Sequence, residues 1–128
     1  MNWYIITAGL IASATTVGHF TVGSKEFLKP MLEASFDPIP KKVMHCVFHY
    51  VSTYLILSSV TLLLIGFNIW SGTGSDAAII FITANYAVFA IWQIVLAIAS
   101  GIPNGIFKLF QWIFFVLIAI FSFLGTSL

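Results

Sequence analysis

Residues 43–67 read VMHCVFHYVSTYLILSSVTLLLIGF, a run that contains no charged side chain. As a helix rising 1.5 Å per residue it would be about 37 Å long, enough to cross a hydrocarbon core roughly 30 Å thick. Three further runs of similar character lie outside it, at Trp3 to Val22, Asp76 to Ala99 and Gly105 to Thr126. With 60% hydrophobic residues in 128 and a mean hydropathy of +1.07, the chain is too apolar for an ordinary soluble domain. These runs predict an all-α polytopic membrane protein: one domain, residues 1–128, folded as an antiparallel bundle of four transmembrane helices.

The connections supply the rest of that expectation. Gly23 to Lys42 is the only sizeable polar segment, and it carries Lys25, Lys29, Lys41 and Lys42 with Glu26, Glu33 and Asp37. Within it Ser24 is placed to N-cap a short interfacial helix whose apolar face is Phe27, Leu28, Met31 and Leu32, with Pro30 in its first turns. Pro38 and Pro40 are read as ending that helix and leading, extended, into the second span. Asn68 to Ser75 is a short glycine-containing link with Trp70 at a headgroup boundary, and Ser100 to Asn104 is a tight turn. Links this short force antiparallel neighbours. All five lysines fall in residues 23–42 or beside the third link, none in the second link or the termini. Retention of positive charge in the cytoplasm therefore predicts both termini outside and residues 23–42 and 100–104 inside. Ala12-Ser13-Ala14 resembles a leader-cleavage site, but no basic residue precedes the apolar run, so the first segment is expected to be retained as a helix.

Composition also excludes functions. Only 7% of residues are charged, arginine is absent, and the net charge of +1 offers no footprint for nucleic acid. The one cysteine, Cys46, cannot form an internal disulfide and is assigned to packing. No Ser-His-Asp or paired-carboxylate set can be built inside the spans, and the Cys46/His49 i, i+3 pair is the only thiol-imidazole arrangement. Catalytic residues are therefore not assigned.

Polar side chains inside the spans are costly in hydrocarbon and turn towards partners, so they mark the candidate site. His45 and His49 are four apart on the second span, with Ser52 and Thr53 continuing their face. His19 closes the first span, Gln93 lies on the third, Gln111 on the fourth and Asn85 farther out along the third. Counting helical rise from the boundaries puts His19 about 5 Å, His49 about 9 Å, Gln111 about 10 Å and Gln93 about 12 Å inside the cytoplasmic face. Several readings of this layer are open. His19, His45 and His49 have the spacing for a three-nitrogen metal site, although no carboxylate lies in any span to orient them. A haem held by His19 with His45 or His49, or a quinone held by the His19, His49, Gln93 and Gln111 layer, are alternatives. The plainest reading is hydrogen bonding between helices that sets packing register.

Other features are assigned to packing. Ala8, Ala12 and Thr16, flanked by Gly9 and Ser13, form a small-residue stripe for close helix approach, expected inside the monomer. Aromatics on the fourth span point to all sides, which suggests contact with lipid, other membrane subunits or a second copy of the chain. Tyr50, Tyr54 and Tyr86 are candidate donors within the bundle.

Gly18-His19, the polar loop with Lys29-Pro30, His45-x-x-x-His49 opening the second span and Gln111-Trp112 in the last resemble a loose group of small four-helix bacterial inner-membrane proteins with no assigned activity. An aromatic, often tryptophan, precedes the second-helix histidine in that group; Phe48 stands there in this chain. The resemblance implies the same topology, an inner-membrane location and attention to His19 and His49, but no reaction. The glutathione-linked eicosanoid enzymes, another small four-span family, need arginine-rich motifs that this chain lacks. The leading functional expectation is a non-catalytic subunit or scaffold of a membrane assembly. A metal-, haem- or quinone-binding protein is the alternative, and a small transporter or channel ranks last because no charged relay crosses the spans.

Overall fold

The computed structural model describes residues 1–126; of the expected domain 1–128, residues 127 and 128 lie outside the described set. Every regular element among the described residues is helical: α1 (Trp3–Gly18), a π-helical segment (His19–Leu28), α2 (Lys29–Glu33), α3 (Pro38–Gly66), α4 (Ser75–Ala99), α5 (Gly105–Lys108) and α6 (Gln111–Thr126). Three helices are long and apolar enough to cross a membrane: the continuous Trp3–Glu33 helix of 31 residues, α3 of 29 and α4 of 25. The fourth apolar helix, α6, has 16 residues. Its length of about 24 Å falls short of a hydrocarbon core on its own.

Three expectations are corrected. Residues 24–33 do not form a separate helix capped by Ser24, because the first helix runs without a break from Trp3 to Glu33. Gly18 keeps right-handed helical angles, and the turns widen from His19, so that the Lys29 N–H donates to the Ser24 carbonyl. Pro30 lies inside this continuous helix, just past the widened turns. Nor are Pro38 and Pro40 an extended lead: both sit in the first turn of α3, where a missing donor costs least, and Asp37 caps it by accepting from the Ile39 N–H at 2.9 Å. Finally, the run from Gly105 to Thr126 is not one continuous helix. Leu109, at φ −97° and ψ 67°, breaks it, and the Trp112 indole donates to the Ile106 carbonyl at 2.8 Å, satisfying an acceptor that the break frees.

Contacts set the neighbours. α1 and α3 are antiparallel, with Asn2 beside Gly66 at one end and His19 beside Phe48 and Ser52 towards the other. α4 and α6 are likewise antiparallel, joined through Gln93 with Gln111 and Phe89 with Phe115. α6 also lies along α1, where Tyr4 meets Phe121. The buried centre contains Ile5, Ala8, Ala12, Leu55, Leu62, Ile82, Tyr86, Ala90 and Ile118, so the small-residue stripe of α1 faces inward.

Asn2 ties three helix ends together. Its side-chain oxygen accepts from the Ile5 N–H at 3.2 Å and caps α1, its amide donates to the Gly125 carbonyl at 2.9 Å, and its backbone N–H donates to the Gly66 carbonyl at 2.9 Å. Replacing Asn2 by alanine removes the cap and the bond to α6 but leaves the bond to α3. Loss of about 1–2 kcal/mol is expected, measured as a lower thermal midpoint in detergent, and Asn2→Asp should recover the cap without the α6 bond.

A second polar contact lies inside the stack. The Tyr86 hydroxyl, with Tyr86 fully buried, sits 2.7 Å from Ser58 Oγ, which also donates to the Leu55 carbonyl. Because Ser58 donates to Leu55, the shared hydrogen belongs to Tyr86. Tyr86→Phe is expected to cost about 0.6–1.7 kcal/mol, the range of hydrogen bonds between helices in lipid, seen as a lower midpoint in an SDS unfolding titration followed by circular dichroism.

Outward faces are as apolar as the interior. Leu57, Ile80, Phe81, Ile91, Ile98, Phe107 and Phe123 are each more than half exposed. All five lysines gather at one end, where α1 continues into its π segment, α3 begins and α4 turns through Gly101 and Asn104 into α5.

Candidate functional site

At the lysine end the helices border a half-open cavity of about 770 Å³, within the size range of small-molecule sites. It exists because α1 pairs closely with α3, and α4 with α6, whereas α3 and α4 touch chiefly around Ser58–Tyr86 and Tyr54–Phe89. Leu55, Phe89 and Phe115 close it at the bundle centre. The remaining walls come from the start of the π segment, Val47, Phe48 and Val51 of α3, Trp92 and Leu96 of α4, and the residues flanking the break before α6.

Most of this lining is apolar, with polar groups at two stations. His19, the first residue of the π segment, stacks on Phe48 with ring centroids 4.0 Å apart and an interplanar angle of 19°. Its Nε2 lies 2.8 Å from Ser52 Oγ and 3.2 Å from the Phe48 carbonyl, and Ser52 Oγ itself donates to that carbonyl at 3.0 Å. In the tautomer with the hydrogen on Nε2 the ring donates to the Phe48 carbonyl; in the other, Nε2 accepts from the Ser52 hydroxyl and Nδ1 carries the hydrogen. Nδ1 has no hydrogen-bond partner among the described residues. A Cβ at Gly23, also in the lining, would lie 3.8 Å from Nδ1.

The second station is the Gln93–Gln111 pair, in which Gln93 Nε2 donates to Gln111 Oε1 at 2.5 Å. One N–H of Gln93, both N–H of Gln111 and lone pairs on both side-chain oxygens remain, so the pair keeps donors and acceptors alike.

His19, Gln93 and Gln111 thus line one cavity. His45 and His49 do not. Their rings lie 5.1 Å apart along α3, with His49 exposed and edge-on to Phe48 at 5.5 Å. Neither His45, which is half-buried, nor the exposed His49 is in the cavity lining, which Phe48 joins. Among the described residues no three or more His, Cys, Asp or Glu side chains are grouped to hold a metal ion. Asn85 is turned back on its own helix and donates to the Phe81 carbonyl at 2.8 Å. Cys46 is exposed on α3 and lines a separate shallow groove with Pro38, Ile39 and Tyr50.

Sequence reasoning missed Phe48 as the platform under His19, and Phe89, Trp92 and Phe115 as cavity walls. An aromatic in a hydrophobic run has no signature that separates a ligand wall from lipid-facing packing. Asn2 was legible in principle, as a cap-forming residue placed directly before an apolar helix.

No protein-family model, curated protein or solved structure matches this chain. The functional reading therefore rests on the cavity and its two polar stations.

Proposed function

We propose that the chain is an integral membrane protein, inserted as an antiparallel four-helix bundle with its five lysines on the cytoplasmic side and both termini outside, whose cavity binds an amphiphilic small molecule. Insertion is supported by three helices of sufficient length and apolarity and by an exterior that water would not tolerate as a monomer. In a bacterium this is the inner membrane. The fourth crossing combines α6 with the α5 turn and the break between them, whose freed carbonyl is already satisfied by Trp112. Non-helical backbone at membrane depth is tolerated where it borders a cavity, and Leu109 and Phe110 border this one.

The observation that carries the binding role is the pairing of apolar walls with the polar side chains His19, Gln93 and Gln111 in one lining, drawn from three different helices. Native mass spectrometry of the protein released from mild detergent tests the role. An amphiphile adduct is expected on the wild type and absent from Gly18→Phe, which fills the cavity; identical spectra would remove the proposal.

Binding of a metal or haem has less support than binding of an amphiphile. The Nε2 of His19 is engaged with Phe48 and Ser52, and His49 packs edge-on against Phe48 outside the cavity lining.

A second reading, a non-catalytic subunit of a membrane assembly, draws on the broad aromatic exterior, with Phe81, Phe107 and Phe123 all more than 60% exposed. It is compatible with the first. Light scattering of the detergent complex separates a monomer from a homo-oligomer, and copurification from native membranes reports other subunits.

A further inference from the structure

As a resident of the cavity a metal ion has the weaker case, but two histidines remain outside that cavity. His45 and His49 stand one turn apart near the start of α3, on a face that does not line the cavity. Their ring centroids are 5.1 Å apart and their planes are inclined by 43°, the neighbourhood that an i, i+4 spacing imposes. Neither ring has a hydrogen-bond or ion-pair partner among the described residues. The adjacent lysines are drawn elsewhere: Lys41 Nζ stands 5.2 Å over the Phe36 ring, and Lys42 lines the shallow groove beside Cys46. Polar side chains on a membrane helix are costly unless something completes them, and nothing within this chain completes these two.

We propose that His45 and His49 chelate one divalent first-row transition-metal ion, at a site separate from the cavity. Because neither ring is committed to a partner, either tautomer is available, and each neutral imidazole keeps one lone pair in both. An ion about 2.1 Å from a nitrogen of each ring stands about 3.2 Å from each centroid; centroids 5.1 Å apart then subtend about 105°, near the tetrahedral angle. The rings are thus already spaced for one ion. Two imidazole nitrogens with no carboxylate between them suit Zn²⁺, Ni²⁺ and Cu²⁺ rather than the oxygen-seeking Mg²⁺ and Ca²⁺. Water fills the remaining positions at the exposed side of the pair. Chelation across one turn also ties the start of α3, so the ion stabilises the folded chain.

Isothermal titration of the full chain in mild detergent with Zn²⁺, Ni²⁺ and Mg²⁺ tests this. A single Zn²⁺ or Ni²⁺ is expected per chain, with no heat from Mg²⁺, and Zn²⁺ should raise the thermal midpoint. His49→Gln is expected to weaken Zn²⁺ binding by about 100-fold, the lower end of what linking two contacts contributes. Exchanging neighbours, His49→Tyr with Tyr50→His, keeps the composition but turns the second imidazole to another face of α3, and should weaken binding as much. Electron paramagnetic resonance of bound Cu²⁺ counts the ligands, in a Cys46→Ser background that removes the exposed thiol as a competitor. Two coordinating nitrogens are expected with the pair intact and one after His49→Gln. Zn²⁺ affinity unchanged by either substitution, a single nitrogen on Cu²⁺ with the pair intact, or Mg²⁺ bound as tightly as Zn²⁺ would overturn the proposal. So would wild-type affinity for Zn²⁺ no greater than that of free imidazole.

Discussion

Gly66→Ala is expected to destabilise the protein by about 1–3 kcal/mol, the usual cost of forcing an additional carbon into a close-packed contact, and Gly66→Leu by more. A Cβ at position 66 would stand 2.7 Å from Ile6 Cγ1, 2.9 Å from the Ile6 backbone nitrogen and 3.2 Å from its Cα. A side chain can swing aside; the main chain of α1 cannot move without pulling on the bond between the Asn2 N–H and the Gly66 carbonyl. Gly9 is a milder case of the same design, since its nearest neighbours are side-chain atoms of Leu63 at 2.8 and 2.9 Å. The control is Gly18→Ala. That position is helical and a Cβ there meets nothing within 4 Å. Alanine should therefore stabilise by about 0.5–1 kcal/mol through helix propensity and the unfolded chain's lost freedom. SDS titrations of the two variants followed by circular dichroism should move in opposite directions. Equal shifts would show that α1 and α3 do not meet at Gly66 as described.

Gly18→Phe is expected to abolish ligand binding, weakening it by about 100-fold or more, while thermal stability holds or rises. The large effect follows from geometry: residue 18 lines the cavity, and its Cβ vector opens onto empty space. A phenyl ring there occupies the volume a ligand head requires next to His19, and it buries apolar surface that contributes about 25 cal/mol per Å². Loss of binding together with loss of folding would point to an ordinary core position. Retained binding with higher stability would mean that the ligand, if any, sits elsewhere. Binding is read as the amphiphile adduct in native mass spectrometry, and stability from the melting of intrinsic tryptophan fluorescence.

Much of the helical plan was legible in the chain because hydropathy is a local property summed along one segment. The expected third run, Asp76 to Ala99, differs from α4 by one residue at its start, where Ser75 precedes it. Boundaries were less legible wherever proline was read as a stop. Pro38 and Pro40 lie at a helix start, and only the Asp37 side chain folding onto Ile39 distinguishes a first turn from an extended lead. The continuation of the first helix through residues 19–33 had no sequence signal either, since a widened turn keeps its hydrogen bonds while shifting the periodicity on which such readings depend. Nor did Leu109 and Phe110 look like a break, because neither is a residue that ends helices by its own stereochemistry.

For the candidate site, counting residues along each helix placed His19, Gln93 and Gln111 at similar depth. Depth follows from rise per residue, a constant of the helix. Rotation about the axis does not, and the cavity lining holds His19, Gln93 and Gln111 without His49.

The chain by itself determined that its segments would be helices too apolar for water, and that positive charge would collect at one end, because both depend on residue type and order. Only the tertiary structure decided which faces meet. The contact of Gly66 with Ile6, the three-way hold of Asn2 and the gap between α3 and α4 that becomes a cavity all depend on how side chains from distant segments fill one volume. No single segment carries that information.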